Sequence, residues 1–144
     1  MRIAISSDHA GNRLRAAIVA HLAEAEGIML TDLGPKTDDS VDYPDFARPL
    51  AEAVAAGTYD RGILICGSGQ GVGITANKVP GIRAGIVADP FSAHMIVQHN
   101  NAQILCMGER VIGIGVALEC VDAFLAASFE GGRHARRVGK IEPT

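Results

Sequence analysis

Short apolar runs alternate along the chain with stretches in which apolar residues recur every three or four positions. The runs lie at residues 3–6, 28–33, 63–66, 82–88 and 102–107, and the helix-patterned stretches at 12–26, 44–56, 70–78, 90–99 and 113–129. Parallel strands need a crossover between them, usually a helix, and helices on both faces leave such strands buried on both sides. The alternation therefore predicts an α/β fold, a three-layer α/β/α sandwich around five parallel strands.

The helical stretches carry their own stripes and stops. Leu14, Ile18 and Leu22 share one face of the first, and Phe46, Leu50 and Val54 repeat that spacing in the second. Leu118, Val121, Leu125 and Phe129 form the stripe expected in the last long helix. Pro44 suits a first-turn position, while Gly27 and Gly57 read as stops. The 144 residues are expected to form a single domain, residues 1–144, closing on a helical tail over about 132–144. A polar loop, 34–43, has the length of a segment that covers a site.

In an open parallel sheet, ligands bind outside the carboxyl ends of the strands. That rule selects Ser7-Asp8-His9, the run Cys66-Gly67-Ser68-Gly69-Gln70-Gly71, Asp89 and Gly108-Glu109-Arg110. The second of these is the most informative. It ends a buried strand in a thiol and opens into alternating glycines, whose backbone can approach a ligand closely. A cysteine beside a helix amino terminus has N–H dipoles to stabilise its thiolate, which fits a base or a nucleophile. Cys106 and Cys120 lack the glycines and read as core residues.

Composition and charge narrow the function classes. A net charge of -3 and a pI near 5.9 argue against a nucleic-acid binder or a ligand of acidic membranes. The amino terminus lacks the apolar stretch of a secretory signal, and no segment has the roughly 18 to 20 apolar residues of a membrane span. Three widely spaced cysteines without C-x-x-C suit a reduced, cytoplasmic setting. No H-x-x-x-H spacing offers a metal site. A Walker loop is absent, whereas Gly71-Val72-Gly73-Ile74-Thr75-Ala76 fits the dinucleotide form G-x-G-x-x-A, with Asp89 farther on. A nucleotide-binding regulatory module is thus one alternative. A nucleic-acid binder resting on the basic segment Arg133, His134, Arg136, Arg137 and Lys140 is another. Arg133 and Arg137, four apart, could share a helix face and clamp one phosphate.

Six motifs, taken together and in order, add a resemblance. Asp8-His9-Ala10-Gly11, Asp42-Tyr43-Pro44, the Cys66–Gly71 run, Ala76-Asn77-Lys78 with Gly81-Ile82-Arg83-Ala84, Gln98-His99-Asn100-Asn101 and Glu130-Gly131-Gly132-Arg133-His134 span nearly the whole chain. In these the sequence resembles the type B ribose-5-phosphate isomerases, a family that includes galactose-6-phosphate and allose-6-phosphate isomerases. The resemblance implies a Rossmann-like, flavodoxin-like sandwich, a homodimer with active sites at the subunit interface (a tetramer stays open), a phosphorylated sugar as substrate, and no cofactor or metal. Carried onto matching positions, it implies that Cys66 takes the proton from carbon 2 and His99 opens the furanose ring. Ser68, where many relatives are expected to have threonine, keeps a hydroxyl able to relay a proton. Asp8, His9, Tyr43, Gly67, Ser68, Gly69, Gln70, Gly71, Asn100, Arg110, Arg133 and Arg137 would bind the sugar and its phosphate. Thr75 stands where some relatives carry a glutamate base, so the chain resembles the cysteine-dependent branch. A six-carbon sugar phosphate is the alternative substrate.

Overall fold

The computed structural model describes residues 1–143. Its five strands are β1 (Arg2–Ser7), β2 (Met29–Asp32), β3 (Arg61–Cys66), β4 (Ala84–Ile86) and β5 (Ile104–Gly108). The helices are α1 (Asn12–Ala23), α2 (Tyr43–Ala55), α3 (Gln70–Asn77), α4 (Pro90–Gln98), α5 (Ile114–Ala126) and α6 (Arg133–Val138), with a single 3-10 turn at His9–Gly11. Among the described residues no helix is long and apolar enough to cross a membrane.

Every strand pair is parallel, and the order is β2-β1-β3-β5-β4. The expected five-stranded sandwich is present, but its last two strands are exchanged relative to the flavodoxin order 2-1-3-4-5. Burial accounts for the exchange. All five residues of β5 are buried, as an inner strand requires, whereas β4 shrinks to three residues with only Gly85 buried and takes the edge. The order still reverses between β1 and β3, the place where such sheets open a crevice.

Side chains alternate across the sheet. Ile3, Ile5, Ile63, Ile65, Leu105 and Met107 face α1, α4 and α5, while Ala4, Leu64, Cys66, Ile104 and Cys106 face α2 and α3. The stripes of α1 and most of α2 lie as the spacing predicts, although Phe46 is only half-buried. That of α5 is rotated. Ala117, Cys120, Val121 and Phe124 face the core, Leu118 and Leu125 flank it, and Phe129 lies beyond the helix. Small residues at 117 and 120 let α5 lie close, which the large-residue spacing does not reveal. Burial pushes the Cys106 thiol up and that of Cys120 up to about 11, so both behave as inert core residues.

Candidate active site

At the reversal, Ser7 of β1 lies level with Ile65 of β3, so Asp8 and Cys66 leave the sheet side by side. Cys66 is 5% exposed. The turn after it needs glycine at 69, where φ is +81 and a Cβ would sit 2.9 Å from the Met107 backbone. This tight turn folds the Gly69 N–H back onto the Cys66 Sγ at 3.2 Å. A thiolate accepts such a hydrogen bond more strongly than a thiol does. The Ser68 Oγ accepts from the Gln70 N–H at 3.2 Å, and α3 begins there, bringing the positive end of its dipole to the same place.

A cleft of about 410 Å³ opens over this turn. Cys66, Gly67, Ser68 and Gly71 form part of its wall, and Asp8, His9, Tyr43 and Arg110 line it beside Ala10 and Val111. A second cavity of about 420 Å³ shares Asp8, His9 and Tyr43 and continues along the start of α2. Asp8 turns its carboxylate to the Ala10 N–H and caps the 3-10 turn. His9 accepts the Val41 N–H on Nδ1 at 3.1 Å, which leaves its proton on Nε2. The 34–43 loop that supplies Val41 is pinned from beneath by buried Arg15, which donates to the Pro35 carbonyl and the Ser7 hydroxyl and pairs with Asp32. Gly69 and Gln70 shape the turn without lining the cleft.

His99, Asn100, Arg133 and Arg137 lie elsewhere, and the topology says why. A crossover helix runs antiparallel to its strands, so α4 starts at the carboxyl edge and ends at the amino edge. Cys66 is level with Gly108, while the turn holding His99 and Asn100 leads into Ile104, four residues and about 13 Å back along β5. The Glu130 N–H donates to the Gln98 carbonyl, which docks the segment before α6 against that turn. The imidazoles of His99 and His134 stack there, centroids 4.2 Å apart and planes 8° from parallel. Arg133 and Arg137 are exposed on α6, and among the described residues no carboxylate lies within 4 Å of either.

His134 belongs to the basic C-terminal segment. It is buried, its Nε2 has no hydrogen-bond partner, and burial followed by the proximity of His99 pushes its pKa down. With Glu130 and His99 it brings three potential ligand atoms within 4.8 Å. The rings are nearly parallel, so their in-plane lone pairs run side by side instead of converging on one ion. Only long-range contact marks this cluster, because His99 and His134 are 35 positions apart with no short motif between them.

Comparison with known proteins fits this geometry. The ribose/galactose isomerase family model matches residues 3–141. The chain belongs to that family. Ribose-5-phosphate isomerase B of Escherichia coli is 47% identical, with 97% of this chain and 93% of the relative covered. The D-erythrulose-4-phosphate isomerase of Pectobacterium atrosepticum is 44% identical, with 98% and 93% covered. Among solved structures, the ribose-5-phosphate isomerase B of Clostridium thermocellum superposes with a TM-score of 0.95 at 52% identity, covering 98% of this chain and 95% of that one.

Several polar strand-end residues of the chain serve structure. The Glu109 carboxylate caps α1 through the Leu14 N–H at 2.7 Å, and Asp89 caps α4 through the Ser92 N–H and hydroxyl. Those hydrogen bonds hold the Asp89 carboxyl below its ordinary range. Gly71, Gly73 and Ala76 sit inside α3 instead of at a strand-to-helix turn, which removes the dinucleotide fingerprint.

Proposed function

We propose that this isomerase interconverts ribose 5-phosphate and ribulose 5-phosphate, with Cys66 as the base at carbon 2. The observation that carries the reading is the Cys66 Sγ at the sheet's reversal point, under the Gly69 N–H and beside a cleft of small-ligand size. A proton next to a carbonyl is removed only if the charge reaching oxygen 1 is stabilised, and the positive end of α3 supports that role. As the proton leaves carbon 2 the electron pair forms the enediolate. Returning a proton to carbon 1 completes the change, and the Ser68 hydroxyl moves the proton between the two oxygens. Asp8, Tyr43 and Arg110 orient hydroxyls, and His9, its Nδ1 taken by the Val41 N–H, offers its Nε2–H to the phosphate end.

The aldose phosphate is mostly a closed ring, so ring opening comes first and needs an acid/base at the ring oxygen. His99 takes that role, with Asn100 beside it and Arg133 and Arg137 as the phosphate fork. A second copy of the chain supplies these four residues to each cleft. The roughly 13 Å between the His99 turn and the level of Cys66 supports this, since one chain cannot close that gap. The active unit is then a dimer with two shared sites.

The test is isotopic. With ribose 5-phosphate in deuterated water, Cys66→Ala should abolish deuterium exchange at carbon 2 while retaining a cooperative melt. Undiminished exchange would exclude Cys66 as the base. Rates on four-, five- and six-carbon aldose phosphates with one preparation fix the sugar, and full activity after EDTA treatment is expected.

A further inference from the structure

Arg83 belongs to a motif for which neither the cleft nor the phosphate fork has a use, and its side chain ends on the backbone of the His99 turn. Its Nε donates to the Asn100 carbonyl at 2.8 Å and its Nη2 to the Asn101 carbonyl at 2.9 Å. The turn it holds is an unusual one. Asn101 takes the left-handed conformation, φ +51, and the Asn101 and Ala102 amides return to the carbonyls of Val97 and Ile96 to close α4. Beyond that closure, the Asn100 and Asn101 carbonyls take their hydrogen bonds from the guanidinium.

The base of this strut is fixed. The Arg83 N–H donates to the Gln103 Oε1 at 2.8 Å, and the Gln103 N–H returns to the Arg83 carbonyl at 3.1 Å. The Gln103 side-chain amide reaches the Gly81 carbonyl at 2.8 Å. On the following residue, the Asn77 side chain both donates to the Ala84 carbonyl at 2.9 Å and accepts its N–H at 2.8 Å. Asn77, Arg83 and Gln103 thus form one frame, rooted in α3 and the start of β4, that ends on the residues after His99. A lysine at 83 could meet one of the two carbonyls but cannot span both in a plane.

We infer that Arg83 is a positioning residue for ring opening: its guanidinium, forked on Asn100 and Asn101, fixes the direction in which the turn presents His99 and Asn100 to a cleft. The inference rests on the ring-opening reading of His99. Misplacement of an acid/base group by about 1 Å can cost on the order of a hundredfold in rate, so a loosened turn should act on the step His99 performs and on no other.

The experiment compares two substrates. Ribose 5-phosphate must be opened, whereas ribulose 5-phosphate has its 5-oxygen esterified and no furanose form. Arg83→Lys and Arg83→Gln should each lose about tenfold or more on ribose 5-phosphate and change by less than about threefold on ribulose 5-phosphate. Asn101→Val, which strains the same turn with a β-branched residue at positive φ, should show the same selectivity. His99→Asn is run alongside. Equal losses in both directions for the Arg83 variants, or no loss, overturn the positioning role if His99→Asn is selective. A non-selective His99→Asn removes the ring-opening reading itself. Should Arg83→Gln fail to melt cooperatively, Arg83→Lys and Asn101→Val decide the matter by the same criterion.

Discussion

The carboxyl-edge half of the proposed site and its amino-edge half are held by different means. Cys66, Gly67, Ser68 and Asp8 ride directly on β1 and β3, inner strands whose buried ladder fixes them, and backbone amides do much of the work. His99, Asn100 and the arginines ride on helix ends, and side chains do the fixing: Arg83 on the turn, and His134 against the His99 ring. Apart from the reacting side chains themselves, a half built from main chain depends only on the turn staying intact. The half built from clamps is sensitive to residues that never touch substrate.

The largest expected effect tests whether the halves come from different copies. Cys66→Ala and His99→Asn should each be nearly inactive alone on ribose 5-phosphate, yet subunits mixed and reassorted one to one should regain about a quarter of wild-type activity, because half the dimers then carry one intact site. Recovery of nothing would put both halves in one chain or dismiss one of them. Next in size, Arg137→Ala should raise KM for the phosphorylated sugar about tenfold or more with a smaller change in kcat, as expected for a lost charged hydrogen bond remote from the chemistry. An unchanged KM would return the arginines to a solvated face.

A smaller effect separates backbone from side chain within the carboxyl-edge half. At Gly71 an added Cβ would lie 2.7 Å from the Tyr43 ring, and Tyr43 is exposed enough to swing away. Alanine also favours a helix by up to about 1 kcal/mol over glycine. Gly71→Ala should therefore keep its melting temperature while KM rises several-fold, read by paired melts and kinetics. The smallest effect belongs to His134. Burial and His99, with Arg133 and Arg137, oppose its proton and Glu130 favours it, with a net depression from the ordinary 6.5. The unfolded chain then takes up that proton first as pH falls through 6.5, and folded stability falls with it. His134→Gln should flatten that acid-side loss, measured as denaturation midpoints between pH 5 and 8.

Much of the fold was legible because inner parallel strands are continuous apolar runs, as at 63–66, and helices between them read by spacing. The strand order was not. Nothing local says that β5 inserts beside β3, since that follows from β4 being too short to fill an inner position. The α5 stripe was misread for a related reason: spacing weighs large residues, whereas Ala117 and Cys120 form the contact face. The carboxyl-edge half of the site followed from one rule about strand ends. The roles of His99 and Asn100 entered through resemblance, the arginine pair also through its four-residue spacing, and the position of the His99 turn at the other edge follows from the direction of α4. The His134 stack and the Arg83 fork depend on neighbours brought together only by folding.

The Val41–His9 hydrogen bond restricts what can stand at position 9. The ring accepts a hydrogen bond from the loop on Nδ1, and the same residue lines both the cleft and the second cavity. Lysine or arginine would supply more charge for a phosphate but have no lone pair for Val41, and would release the loop that walls the second cavity. Imidazole serves there through a ring lone pair that neither an ammonium nor a guanidinium group carries, so the loop's attachment is written into the choice of side chain.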